Sequence, residues 1–331
     1  MIKILDTTLR DGGHVINYHF GHALINDIVC SLKRSHCDII ELGCLMNKPY
    51  KEDYSVYNRV KQAAAYIDHQ DSTEYSLLVQ QDWYDPHLLE DYDGGKLKHI
   101  RVSFHSYDIE EGFEFARIVK DKGYEIHINP INFSGYSMDG MKAIIDAANE
   151  LCADTFSIVD TFGSLDYPAL MRIAHIADER LEPHIGIGLH LHENLASSLV
   201  LAQIFIDLYQ SKRNLSIDGA LTGMGRIPGN CPTELLMLYA NKNMNGHYDI
   251  SEILHVIHSA LLPLKEKFNW GYSVPYALAA VNNIHRSYAE FALNQKMNMR
   301  EVYRYLNSLS EAKKTIWDSR YADEMASQIK R

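Results

Sequence analysis

Long apolar runs are missing from this 331-residue chain. No stretch approaches the roughly 20 residues that a bilayer-spanning helix needs, and the N-terminus lacks a secretory signal pattern. A surplus of basic charge is missing too. With 32 Lys and Arg against 43 Asp and Glu, the formal charge is −11, which disfavours generic binding along a phosphate backbone. The five cysteines, Cys30, Cys37, Cys44, Cys152 and Cys231, form no Cys-x-x-Cys pair and are odd in number. Reduced thiols are therefore expected, rather than a disulfide framework or a thiolate zinc site. What remains has the composition of an ordinary globular protein, expected in the cytoplasm with neither membrane nor nucleic acid as partner.

The length suits one α/β barrel of about 250 residues with an appendage, or two ordinary domains. Strand-like runs lie near 2–5, 37–43, 75–80, 99–105, 124–130, 154–160, 185–192 and 216–221. Helical spacing of apolar residues falls between most of them, over 20–35, 110–122, 138–151, 167–181 and 195–210, with a further helix from about 232. Eight strands, each but the last followed by a helix before about residue 222, predict a parallel sheet, and the number eight predicts closure into a (β/α)8 TIM barrel. An open doubly wound sheet would place a glycine-rich phosphate turn after the first strand, and Arg10-Asp11-Gly12-Gly13-His14 is a poor match to one. From about residue 245 the βα rhythm is lost, and amphipathic stretches at 276–294 and 299–313 predict a C-terminal helical extension. The chain thus divides into a barrel domain, 1–240, and an extension, 241–331, packed on the barrel or on a second subunit.

Chemistry-bearing residues gather where the predicted strands end, the face on which barrel active sites are built. Asp6-Thr7-Thr8-Leu9-Arg10-Asp11-Gly12-Gly13-His14 follows the first strand, and a guanidinium beside a carboxylate suits a cation and an anionic oxygen held together. In His190-Leu191-His192 the two imidazoles repeat at the strand period, so both project to one face, as two ligands of one metal or as two satisfied core histidines. Glu41, Asn129 and the pair Asp160-Thr161 end three other strands, as structural caps or as residues lining a site. Gly223-Met224-Gly225-Arg226-Ile227-Pro228-Gly229-Asn230 forms a turn-rich segment after the last strand, with a phosphate-cradling loop as the rival interpretation.

The first segment resembles the Asp-x-Thr-Leu-Arg-Asp-Gly signature of the DRE-TIM metallolyase superfamily. That superfamily includes 3-hydroxy-3-methylglutaryl-CoA lyases, 2-isopropylmalate and homocitrate synthases, and 4-hydroxy-2-oxovalerate aldolases. His14, three residues after Asp11, looks most like the aldolase branch. The resemblance implies that Arg10 stabilises an enolate, Asp11 ligates a divalent metal with His190 and His192, and His14 is a general base. It implies Asn230 as a fourth ligand or substrate contact, and Glu41, Asn129, Asp160 and Thr161 around the site. Tyr276 falls roughly where those aldolases place an active-site tyrosine, the alternative being a packed aromatic. The run Asn282-Asn283-Ile284-His285 approaches the site with no role assigned. In the lyases a catalytic cysteine precedes the Gly-Asn of the loop, whereas Cys231 follows it here.

The function so implied is a class II pyruvate-type aldolase joining or splitting a 2-oxo acid and an aldehyde. Its cation would be Mn2+ or Mg2+, with Zn2+ and Co2+ as further candidates. The resemblance also implies a homodimer through the C-terminal helices and a dehydrogenase partner. The Gly12–Val15 region and the 44–58 segment depart from the aldehyde-channelling aldolases and point to a larger, sugar-like acceptor. The rival functions are a Claisen-type acyl-CoA synthase or lyase, an Fe(II) oxygenase using two histidines and a carboxylate, and a metal-binding scaffold without turnover.

Overall fold

The computed structural model describes residues 1–67, 72–226 and 228–329. Among the described residues, short apolar runs form nine strands: β1 (Ile2–Asp6), β2 (Ile39–Leu45), β3 (Val56–Tyr57), β4 (Glu74–Gln80), β5 (Leu97–Phe104), β6 (Glu125–Pro130), β7 (Thr155–Asp160), β8 (Gly186–Leu191) and β9 (Leu215–Gly219). All but the two-residue β3 close into an eight-stranded parallel barrel, β1 pairing with β9 on one side and β2 on the other. The expected (β/α)8 barrel is present, and every expected strand lies within two residues of its observed bounds.

The outer ring comprises α1 (His22–Arg34), α2 (Val60–Ala63), α3 (Ile109–Asp121), α4 (Met138–Leu151), α5 (Tyr167–Arg180), α6 (Ser198–Tyr209) and α7 (Thr233–Asn243). α4 shows why these segments are helical. Met141, Ile144, Ile145, Ala148 and Leu151 make one buried stripe at helical spacing, and the Ser137 hydroxyl caps its start by accepting from the Gly140 amide at 3.1 Å. One expected helix is absent. Between β4 and β5 the chain makes only a 3-10 turn, Pro86–Leu88, begun by Asp85, whose carboxylate accepts from the His87 amide at 3.0 Å. Asp85-Pro86 and the Gly94-Gly95 pair interrupt that connection before a helical stripe can develop.

The middle of the barrel is polar. Arg101, buried inside β5, donates to Glu41 of β2 at 3.1 Å and to Asn129 of β6 at 2.9 Å, and also pairs with Asp218 of β9. Beyond Glu41, β2 changes register against β4. Gly43 has a φ of +147° there, and a Cβ would run into the backbone oxygen of Ser55, so only glycine allows the chain past at this point.

After α7 come α8 (Ser251–Val256), a π turn and α9 (Leu262–Phe268); Ile253, Val256, Leu261 and Trp270 belong to the barrel's apolar core. Then α10 (Val274–Val281), α11 (Ser287–Asn294), α12 (Met299–Ser308) and α13 (Ser319–Ile329) build a second core around Tyr276, Tyr288, Tyr305 and Tyr321. The stretch expected as one amphipathic unit at 276–294 is broken at 282–286, where Asn283 takes a φ of +50°. That break turns His285 and Arg286 toward the barrel mouth, where both line the cavity described next.

Candidate metal centre

A cavity of about 810 Å3 opens at the C-terminal ends of the strands, and Arg10, Asp11, His14, His190 and His192 all line it. Asp11 lies beyond β1, while His190 is in β8 and His192 follows it. Their ligand atoms all fall within 4.8 Å of one another. Asp11 Oδ2 is 3.0 Å from His190 Nε2 and 3.5 Å from His192 Nε2. Burial alone would raise the Asp11 carboxyl, but Arg10 and the two imidazoles hold it well below the usual carboxylate range.

The far sides of both rings decide their tautomers. His190 Nδ1 faces Asp218 Oδ2 at 2.9 Å, and His192 Nδ1 faces the backbone oxygen of Asp160 at 3.0 Å. Both partners accept, so each Nδ1 carries the hydrogen and each Nε2 of the neutral ring presents a lone pair toward Asp11. Two lone pairs converging on a carboxylate repel unless a positive charge lies among them. Consistent with that demand, Asp11 and Asp218 outweigh burial and raise the affinity of His190 for a proton. Asn230 pairs with His192 in an isolated β-bridge; its Nδ2 donates to the Met224 oxygen at 2.9 Å, while its buried Oδ1 has no hydrogen-bond partner among the described residues. Two outward lone pairs facing a carboxylate fit a divalent cation, and Asn230, which does not itself line the cavity, is the backbone neighbour of His192.

Arg10 stands beside this group. Its Nε donates to Glu41 at 2.6 Å and its Nη1 lies 3.3 Å from Asp11 Oδ2. Burial works against the charged guanidinium, but Glu41 and Asp11 reverse that and fix it as a cation. His14 occupies the rim, its Nδ1 accepting from Arg226 Nη2 at 2.9 Å while Tyr18 Oη lies 3.0 Å from Nδ1 and 3.1 Å from Nε2. An arginine can only donate, so the neutral ring carries its hydrogen on Nε2. Burial first, then Arg226, lowers the His14 pKa well below its ordinary value.

The remaining expected residues divide. Asn129 and Thr161 line the cavity; Glu41, fully buried, instead anchors Arg10 and Arg101. Asp160 acts as a cap: its carboxylate accepts from Ser134 Oγ at 3.1 Å and from the amides of Ser164 and Leu165 at 2.9 and 3.1 Å. Tyr276 packs in the second core rather than on the cavity wall. Cys231 is buried with its thiol pKa pushed up by burial, and all five cysteines are unpaired. Ile227 of the loop lies outside the described residues.

Sequence reasoning missed Arg101, Asp218, Tyr18, Arg226 and Arg286. The signal for the first two is a charge inside a β-branched run, His99-Ile100-Arg101-Val102 and Ser216-Ile217-Asp218. A second possible ligand group, His99, Glu125 and His127, sits at the opposite end of the barrel. There Lys98 and His99 each pair with both Glu74 and Glu125, and we read it as an ion network.

The comparisons agree with this geometry. Residues 99–259 match the HMGL-like family model, a span that holds His190, His192 and Asn230 but not Arg10 or Asp11. The chain is 22% identical over 323 residues to a 4-hydroxy-2-oxovalerate aldolase of Thermomicrobium roseum, covering 91% of this chain and 86% of the relative. It is 23% identical over 269 residues to an oxaloacetate decarboxylase of Mycobacterium tuberculosis, covering 78% and 76%. Among solved structures, the N-terminal domain of a Bacteroides vulgatus protein assigned as an aldolase superposes with a TM-score of 0.74 at 26% identity, over 88% of this chain and 96% of that one. With an HMGL-like domain over residues 99–259 set in a closed (β/α)8 barrel, the chain is similar to the DRE-TIM metallolyase superfamily.

Proposed function

We propose that the protein is a divalent-metal-dependent aldolase that makes or breaks the C–C bond between the methyl carbon of a pyruvate-type 2-oxo acid and an aldehyde. The observation that carries this reading is the convergence of Asp11, His190 and His192 in one cavity with the cationic Arg10 and the neutral His14. Asp11, His190 and His192, with Asn230 as a fourth donor, would hold the cation. When bound, it supplies Lewis-acid polarisation of the 2-oxo acid's ketone.

The chain's own residues do the rest. Arg10, anchored by Glu41, faces the C2 oxygen on which negative charge develops, so its charge is already in place when the enolate forms. In cleavage, His14 takes the proton of the C4 hydroxyl as the C3–C4 bond breaks and the aldehyde carbonyl forms. Returning that proton to C3 of the enolate yields the 2-oxo acid, so the protons balance. Loss of CO2 from a 2-oxo diacid would produce the same enolate, and the M. tuberculosis relative gives that second reading its support.

The test is exchange of pyruvate methyl protons with deuterium, followed by NMR, in metal-loaded protein. Exchange should disappear with chelator, and Arg10→Ala should slow it roughly 10²–10³-fold by analogy with loss of a preorganised oxyanion donor. Aldehyde-dependent consumption of pyruvate then separates the aldolase from the decarboxylase. Undiminished exchange in Arg10→Ala would remove Arg10 from its proposed role.

A further inference from the structure

The cavity carries more positive charge than the aldol chemistry requires. The chain as a whole is acidic, at −11, yet Asp11 is the only Asp or Glu among the described residues lining the cavity. Arg226 and Arg286 line it as well. They come from widely separated parts of the chain, the loop after β9 and the turn before α11.

Neither guanidinium is saturated. Arg226 makes its one side-chain hydrogen bond to His14 Nδ1 and has no carboxylate partner among the described residues. Among the described residues Arg286 has a single carboxylate partner, Glu290 of α11, which leaves most of its donors unused. His285, next to Arg286 in the chain, lines the cavity as well. Its Nδ1 accepts from the Ser287 amide at 3.2 Å, so a neutral ring carries its hydrogen on Nε2, which has no partner among the described residues. Burial and then the charges of Arg286, Arg226 and His105 lower the His285 pKa to about 4, so the ring is an uncharged donor near neutral pH. Burial and Arg226 likewise disfavour the charge on Arg286. Arginines that repel one another inside a cavity, with donors to spare, are arranged for an anion that arrives with the ligand.

Size points the same way. About 810 Å3 lies in the upper part of the roughly 300–1,000 Å3 range that accommodates drug-sized ligands, far more than pyruvate and a two-carbon aldehyde occupy.

Resting on the aldolase reading above, we propose that the acceptor is an aldehyde bearing an anionic group, phosphate or carboxylate, at the end remote from its carbonyl, and that Arg226, Arg286 and His285 bind that group. Arg226 then has a double role. At rest it occupies the His14 Nδ1 lone pair; drawn to the acceptor's anion, it releases that lone pair to act as base. The acceptor's distant charge thereby affects turnover as well as affinity.

The experiment uses the full-length, Mn2+-loaded protein and two matched pairs of aldehydes: glyceraldehyde 3-phosphate with glyceraldehyde, and succinic semialdehyde with butyraldehyde. Calorimetry without pyruvate should show the anionic member of at least one pair binding roughly ten- to a hundredfold more tightly, the range set by hydrogen bonds to charged groups. The pair with the larger ratio identifies the anion. Arg286→Gln should reduce that ratio toward one, and Arg226→Gln should reduce it while also lowering kcat. Equal affinities within both pairs, or a preference unchanged in both variants, would overturn the inference. Because calorimetry needs no turnover, it decides the subsite even if pyruvate exchange fails, whereas that failure by itself counts only against the aldolase reading.

Discussion

Asp218 holds His190 by its Nδ1 at 2.9 Å and is itself held by Arg101. One carboxylate thereby fixes which nitrogen of the histidine faces Asp11. The pair is buried, and Arg101 and His190 outweigh burial to keep Asp218 below its ordinary pKa.

Loss of that carboxylate should be felt at the cation. In Asp218→Asn the amide can present its NH2 to Nδ1, which favours the wrong tautomer, and the charge facing Arg101 is gone. Metal affinity should fall roughly 10–100-fold, as it does when an outer hydrogen-bond partner of a metal-binding histidine is removed. Competition with a chromophoric chelator measures this, and native-like affinity would show that the Asp218 contact is dispensable.

Arg101 makes a prediction about stability rather than chemistry. Arg101→Met removes the charge that Glu41 and Asp218 share and leaves them only Arg10 and His190 as charged or imidazole partners, a change expected to cost about 3–5 kcal/mol. Urea unfolding of native and variant protein reads the difference directly. A loss below about 1 kcal/mol would mean that the two carboxylates find other partners or take up protons.

At the other end of the barrel, acid should weaken the fold through Glu125. Hydrogen bonding to His99, outweighing burial, and then the charges of His99 and Lys98 lower this carboxyl from 4.5 to about 2. A carboxyl depressed in the folded state contributes stability that is complete above its unfolded pKa and is lost as pH falls toward the folded one. The loss should therefore run from about pH 4.5 down to about 2. Urea midpoints across that window should fall less steeply for Glu125→Gln than for the native protein. Parallel slopes would indicate that this network contributes nothing to acid sensitivity.

Much of the barrel was legible because its signals are local. His190-Leu191-His192 carries a two-residue period within three positions, and the helix at 138–151 carries its stripe and its cap within fifteen. The β4–β5 connection misled because the count of eight units was extended to a segment whose proline and paired glycines argue otherwise. Arg101 went unread for another reason: a charge inside a strand signals burial, but its three partners lie on β2, β6 and β9, and no local pattern connects them. Arg226 and Arg286 are further still from local inference. They share a cavity wall because the break at 282–286 brings Arg286 to the barrel mouth.

The two apolar cores also bear on how this fold can change. The one around Tyr288 and Tyr305 shares no side chain with the one beneath the strands, yet His285 and Arg286 beside it form part of the cavity wall. Mutations in the roof can therefore drift, and with them the range of compounds admitted, while Asp11, His190 and His192 stay under selection on a floor that does not have to be repacked.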